Sequence, residues 1–469
     1  MTSYSFADLH CHPTLKTYAH SAIDKDQPSA DLWNYKPPGV LEKAIHILTG
    51  IAKYSQTDFT TLVKGKVRIA VVSLYPIEKG FVINTTGKGL ISSAITRCLT
   101  HLSYKRIKYL QGHTDYYQEL YNEYEFLLSN SKNRNIGNTK ASYKLARQWK
   151  DVKEILLEED SIAVIITIEG AHVFNTGLTE YGREINEEEI LSNIYAVKQW
   201  QYPPFFITFA HNFNNDLCGH ARSLEVISRL VNQNKNLDTG FSDLGKKAIH
   251  ALLDNTNGKR VFIDIKHMSL AARLEYYEIL KTEYPQQAIP IVVSHGAVTG
   301  RSISREKNTG EKSGDFLDCD INFFDEEIVI IAKSNGVFAV QMDCRRLATK
   351  RFLQRSLIRG IVKQQMTKQA ACIVWNQLEH IAVVLDKAGL FAWGTATIGS
   401  DLDGSINQLK GVWTCEQYPF LAEELVKCAE HYLEHNCNLS VPENRNISGE
   451  EIVERFIFKN AAEFLQRFF

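Results

Sequence analysis

The sequence predicts a (β/α)8 TIM barrel with a helical insertion between its second and third strands, on three observations. Eight apolar, β-branched-rich runs recur along the 469 residues, at 4–9, 67–74, 162–168, 205–209, 260–265, 289–293, 337–341 and 393–398. Amphipathic helical patterns separate them. Histidines and carboxylates stand at their ends, in the order His10 and His12, Glu169, His211, His267, His295 and Asp401. Near-continuous rather than alternating hydrophobicity is what strands buried on both faces require, which means a parallel sheet. Strands alternating with helices leave a closed barrel or a doubly wound sheet. A doubly wound sheet gathers its chemistry at one switch point. Here polar groups end the first, third, fourth, fifth, sixth and eighth runs, as in a barrel whose site is built from many strand tips.

The elements follow in order. Among the helices, 242–255 sets Leu244, Ala248, Ile249, Leu252 and Leu253 along one stripe, and 270–283, 325–334 and 371–388 carry comparable patterns. The connection after the second run is far longer than a normal βα crossover, at roughly eighty residues. This stretch, 77–160, is rich in tyrosine (Tyr104, Tyr109, Tyr116, Tyr117, Tyr121, Tyr124), with helical patterns around 90–104, 116–128 and 143–157. It reads as a helical insertion over one edge of the barrel mouth. Its role is packing or the contact of a homodimer, with a substrate lid as the alternative. Ser448 followed by Glu451 is a capping box for a last helix running into 456–469. The chain reads as one domain, 1–469, without repeats or a low-complexity linker.

Composition narrows the function. Apolar content of 44% and charged content of 23% are those of a globular enzyme. A net charge of -1 gives no electrostatic footprint for nucleic acid or an anionic membrane. The basic pairs Arg345-Arg346 and Lys350-Arg351 read as a short solvated run. The first residues carry no basic n-region and no apolar h-region, so no signal peptide is expected. No apolar run approaches the ~18–20 residues of a membrane helix. Nine cysteines are scattered singly, without a Cys-x-x-Cys pair, which reads as reduced thiols in the cytoplasm.

The polar residues at the strand ends carry the chemistry. His10 and His12 project to one face of a strand, so both imidazoles can enter one metal's coordination sphere. Glu169 ends Val164-Ile165-Ile166-Thr167-Ile168; a carboxylate there wants a cation, and it can offer one oxygen to each of two metals. His267 and His295 follow apolar runs in the same manner. Asp401, in Gly399-Ser400-Asp401-Leu402-Asp403-Gly404, can take a proton from a metal-bound water and pass it to a leaving amine. A Gly-Ser-Asp turn with a helix cap is the plainer reading of that segment and still describes Asp403. His211 is available as a hydrogen-bond donor to a developing oxyanion. A competing His431-Tyr432-Leu433-Glu434-His435 matches H-x-x-E-H, but it sits in a charged helix and is read as a solvated face.

Taken together, Asp8-Leu9-His10-Cys11-His12, Glu169-Gly170-Ala171-His172, Phe209-Ala210-His211-Asn212, Asp264-Ile265-Lys266-His267-Met268-Ser269, Val293-Ser294-His295 and Gly399-Ser400-Asp401-Leu402-Asp403-Gly404 resemble the membrane (renal) dipeptidase family of zinc metallopeptidases, within the amidohydrolase superfamily. The resemblance implies two divalent metal ions, zinc by expectation. His10 and His12 would hold one, His267 and His295 the other, with Glu169 and a hydroxide as the bridge. It implies that His211 polarises the scissile carbonyl, that Asp401 shuttles the proton, and that Arg301 or Arg305 binds the substrate carboxylate. One departure is local: the family pattern is His-x-Asp, and His12 replaces that aspartate, raising the site charge by one. The expected function is hydrolysis of a dipeptide amide bond by a metal-bound hydroxide. The alternative is another hydrolysis of the superfamily, on a cyclic amide, lactone or phosphoester. A non-catalytic metal-binding relative is the reading from outside enzymology, and the complete ligand set argues against it.

Overall fold

In this computed structural model the strands in chain order are β1 (Phe6–Cys11), β2 (Val67–Leu74), β3 (Arg134–Ile136), β4 (Thr139–Leu145), β5 (Ser161–Glu169), β6 (Phe206–Thr208), β7 (Phe262–Asp264), β8 (Val292–Gly296), β9 (Val337–Val340) and β10 (Ala396–Ile398). The structure describes residues 4–23, 28–49, 52, 54–100, 102–137, 139–304, 314–358, 363–404 and 406–469. β1 pairs with β2 and β10, β2 pairs with β5, and each strand from β5 to β10 pairs with the next, all in parallel. That ring is a closed eight-stranded (β/α)8 barrel, and its strands are the eight apolar runs. Every residue of β1 and β5 is buried, as strands with a packed lumen on one side and helices on the other must be. Burying a side chain such as Ile69, Val71, Val164 or Ile165 stabilises the fold by ~1.5–3 kcal/mol each, and all four are at 0% exposure.

Helices fill the crossovers. Asp243–Leu253 and Leu270–Glu283 occupy the expected spans, each opened by a serine whose side chain accepts an N–H of the first turn. Ser448 likewise accepts the Glu451 N–H, but the box stays half closed. The Glu451 carboxylate is drawn instead to Arg455 at 3.1 Å and Lys459 at 2.5 Å on the following turn. No helix among the described residues is long and apolar enough to cross a membrane.

The insertion carries the helices Lys79–Val82, Leu90–Thr100, Tyr104–Gly112 and Tyr116–Ser129. Its last part differs from the helical pattern expected over 143–157. An antiparallel β3–β4 hairpin comes first, and β4 pairs in parallel with the start of β5, Tyr143 opposite Ile162. A helix begins only at Trp149. Strand pairing decides the matter: Ala141 pairs with Arg134 of β3, Ser142 and Tyr143 pair with the start of β5, and all three are buried between the exposed Lys140 and Lys144. Gln148, extended at φ -158°, separates strand from helix.

Candidate metal centre and active site

The polar strand ends converge at one mouth of the barrel. His10 lies in β1 and His12 just beyond it, and their Nε2 atoms approach to 3.1 Å. Glu169 is the last residue of β5. Its Oε2 lies 3.1 Å from His12 Nε2, and its Oε1 lies 3.4 Å from His10, 3.7 Å from His295 and 3.9 Å from His267, all at Nε2. The Nε2 atoms of His267 and His295 are 3.2 Å apart. Asp401 brings Oδ1 within 3.6 Å of His12 and Oδ2 within 3.9 Å of His295. His211 directs Nε2 at Glu169 Oε1 from 3.4 Å. All seven side chains are buried.

The local backbone explains how. Glu169 is followed by Gly170 at φ +91°, where an added Cβ would lie 2.3 Å from Nδ1 of His172; only glycine permits that turn. His172 in turn sets Nε2 2.7 Å from the Pro76 carbonyl, which accounts for the Glu-Gly-x-His spacing. His267 and Asp401 are non-glycine residues in the left-handed region, at φ +66° and +59°, a strain that concentrates at functional sites. Two buried aspartates brace the imidazoles. Asp8 accepts the Ser400 N–H at 2.9 Å and the Tyr418 hydroxyl at 2.9 Å, locking β1 to the loop that carries Asp401. Asp264 accepts the N–H groups of Lys266 and Ser294 at 3.0 Å and the hydroxyls of Thr208 and Ser294 at 2.5 Å.

These residues fit divalent cations. A tetrahedral shell with ligand bonds of ~2.0–2.1 Å has edges of ~3.3 Å, and the two Nε2–Nε2 contacts of 3.1 and 3.2 Å match such an edge. The same distances also suit an N–H···N hydrogen bond between two imidazoles, so the fit to a cation rests on the carboxylates that join them, Glu169 and Asp401. His12 Nδ1 faces the Ser73 carbonyl at 3.0 Å, which fixes its Nε2 lone pair toward the centre. His295 Nδ1 lies 2.9 Å from Ser294 Oγ, which itself donates to Asp264. The Nδ1 atoms of His10 and His267 have no hydrogen-bond partner among the described residues. Ligand atoms group as His10, His12 and Asp401; His10, Glu169 and His295; and Glu169, His211 and His267.

Electrostatics supports the same picture. Burial, with the neighbouring His211, Lys266 and His10, holds His267 and His295 well below the usual imidazole range, so both are neutral and ready to ligate. Burial opposes charge on His12, but the Glu169 and Asp401 carboxylates lift it to about 9, so a cation entering the site would take the place of its Nε2 proton. Burial would raise Glu169, yet the charges of His211, His12 and His10 overcome it and keep it ionised. Asp401 moves upward, through burial and the adjacent Glu169 charge.

The remaining expected residues fall apart into roles. Arg301 pairs with Asp318 at 2.9 Å, and Arg305 lies outside the described residues. Asp403 is the structural partner of its loop. It accepts the N–H groups of Gln56 and Thr57 and pairs with Lys16 at 2.7 Å. Arg345 and Arg346 are not a solvated run: the first grips Asp343 and the second donates to the Ser223 carbonyl. His435 and Glu434 are exposed, as a solvated face requires. Sequence reasoning missed Glu78, whose Oε2 lies 2.6 Å from His211 Nδ1. It also missed Glu123, which accepts the Thr14 hydroxyl and the Tyr75 N–H.

Comparison with known proteins bears on the fold and the family. The metallopeptidase from Rhodobacter sphaeroides liganded with a phosphinate mimic of the dipeptide L-Ala-D-Ala is similar in fold, with a TM-score of 0.59 at 11% identity over 100% of both chains. The dipeptidase AC, a metallopeptidase of family M19, gives 0.56 at 11% identity over 99% of this chain and 98% of its own. No curated protein matches the chain. The family model described as membrane dipeptidase (peptidase family M19) matches residues 19–436, a span that holds Glu169, His211, His267, His295 and Asp401. This chain therefore belongs to the membrane dipeptidase family, peptidase family M19.

Proposed function

We propose that the protein hydrolyses the amide bond of dipeptides at a centre of two divalent metal ions, with zinc as the ion. One observation carries this reading: five imidazole Nε2 atoms, those of His10, His12, His211, His267 and His295, converge within 3.9 Å of a single buried carboxylate, Glu169. His10 and His12 would hold one ion, His267 and His295 the other, and Glu169 would join them. The nitrogen and oxygen donors suit zinc. Bound there, the ions supply Lewis-acid polarisation of the carbonyl and activation of a water molecule.

The chain's own residues supply the rest. Asp401, with a raised pKa, can hold a proton beside the reacting carbonyl and release it to the departing amine. His211 presents Nε2 to the developing oxyanion. Arg301 and Arg305 are the candidates for the substrate carboxylate; Arg301 would exchange Asp318 for it. The described cysteines, none of them in a disulfide, support a cytoplasmic location. The exposed Tyr104, Tyr109 and Tyr121 of the insertion support a homodimer contact.

The test is release of free amino acid from a dipeptide panel, L-Xaa-D-Xaa pairs included, beside cyclic amides, lactones and phosphoesters. Turnover of dipeptides supports the reading. Turnover confined to the other classes replaces it with the alternative hydrolysis.

A further inference from the structure

A carboxylate from outside the expected site reaches His211. Glu78 stands where the chain leaves β2, one residue before the short helix Lys79–Val82 that opens the insertion. It is buried, at 3% exposure, and both of its oxygens are engaged. Oε1 accepts the Phe213 N–H at 3.0 Å; Oε2 accepts the Tyr75 hydroxyl at 2.9 Å and meets His211 Nδ1 at 2.6 Å. An ionised carboxylate only accepts, so Nδ1 carries the shared proton, and 2.6 Å is the short contact of a charge-assisted bond. With one edge of the imidazole fixed, the other edge, Nε2, faces Glu169 Oε1 at 3.4 Å and Asn212 Nδ2 at 3.0 Å; with a carboxylate at each ring nitrogen, the imidazolium form supplies the second N–H that a developing oxyanion would accept. The Tyr75 ring stands edge-on to His211 at 4.8 Å between centroids and blocks its rotation. Tyr75 is held in its turn: Glu123, on the insertion helix Tyr116–Ser129, accepts its N–H at 2.9 Å. Gly80 completes the packing, since an added Cβ would lie 2.4 Å from the Phe213 ring.

We infer that Glu78 is a positioning residue for amide hydrolysis: by engaging Nδ1 of His211, it holds Nε2 toward the carbonyl oxygen of a bound dipeptide. The inference rests on the role proposed above for His211. It also gives the insertion a purpose beyond packing. Its first residues deliver Glu78, and its helix Tyr116–Ser129 steadies the intervening Tyr75 through Glu123.

A double-mutant cycle tests this on the metal-loaded enzyme with a cleaved dipeptide. Glu78→Gln keeps the size of the side chain but removes the charged acceptor. Its kcat falls by about 10- to 100-fold, part of the loss from removing an oxyanion donor outright, while KM and metal content hold. His211→Asn costs about 100-fold. Adding Glu78→Gln to His211→Asn lowers kcat by no more than about twofold further, because the two residues act as one unit. Multiplicative losses in the double variant would show that Glu78 acts independently of His211 and overturn the positioning. An unchanged kcat in His211→Asn would remove the role of His211 itself, and the positioning with it. If Glu78→Gln loses its fold by circular dichroism, the cycle is run with Glu78→Asp, which keeps the charge one methylene short, under the same criterion.

Discussion

Replacing Asp264 by asparagine should weaken metal binding while leaving the barrel standing. In the native site Ser294 donates its hydroxyl hydrogen to Asp264 Oδ2 at 2.5 Å, so Ser294 Oγ is free to accept Nδ1–H of His295 at 2.9 Å. That relay leaves the Nε2 lone pair of His295 facing the centre. In Asp264→Asn the amide oxygen still accepts the N–H groups of Lys266 and Ser294, but the amide nitrogen now donates to Ser294 Oγ. The hydroxyl hydrogen must turn to His295 Nδ1, and the ring proton moves to Nε2, where it blocks a ligand. Restoring the ligating tautomer costs one buried hydrogen bond, about 1–3 kcal/mol, or roughly 10- to 100-fold in affinity for one metal equivalent. Fold stability changes little, by about 1 kcal/mol, because every backbone donor keeps a partner. Asp264→Ala differs: it strands two buried N–H groups and costs about 2–6 kcal/mol. Urea unfolding of the apoproteins reads stability, and zinc titration against a chromophoric chelator reads affinity. Ser294→Ala, which breaks the relay without a change of charge, should also weaken the second equivalent. Wild-type affinity for both equivalents in Asp264→Asn would refute the relay.

Three further outcomes are expected. Asp401→Asn should retain both metals by elemental analysis while kcat falls by about two to four orders of magnitude; unchanged turnover would remove its role in proton transfer. Burial alone would raise Glu78, but the charge and hydrogen bond of His211, with His172 and Tyr75, lower it to about 2. This contribution to stability is full above pH ~4.5 and is lost as pH falls toward ~2, by at most about 3 kcal/mol. The stability gap between wild type and Glu78→Gln, measured by urea unfolding, should therefore narrow over that window, and a constant gap would contradict the pairing. Gly170→Ala, forced to φ +91° with its Cβ against His172, should lose about 2 kcal/mol or more, with reduced metal occupancy beside Glu169; a melting temperature within a degree of wild type would show that the turn relaxes.

The barrel was legible because its strands are buried on both faces, so each announces itself as an unbroken apolar run. The site was legible because histidines and carboxylates interrupt those runs at one end. Asp8 and Asp264 leave a signal of the same kind, a single charge inside Ala7-Asp8-Leu9 and Ile263-Asp264-Ile265, but the histidines two and three residues on carry the stronger one. Glu78 and Glu123 left none. Carboxylates in a polar insertion look like any solvated helix face until folding brings them against His211 and Tyr75. The β3–β4 hairpin was masked because Tyr143 and Leu145 also fit the apolar spacing of the helix that follows. Arg345 and Arg346 were misread since their partners, Asp343 and the Ser223 carbonyl, are matters of fold rather than of composition, although Asp343 lies only two positions away.

The most direct test of the central claim is a zinc titration of metal-free protein while alanine release from an alanyl dipeptide is followed. The account predicts activity that appears with bound zinc and reaches its plateau at two equivalents per chain, and that is lost along with metal in Glu169→Gln. A plateau at one equivalent would contradict the paired centre, and full turnover with no metal bound would contradict the metal centre itself.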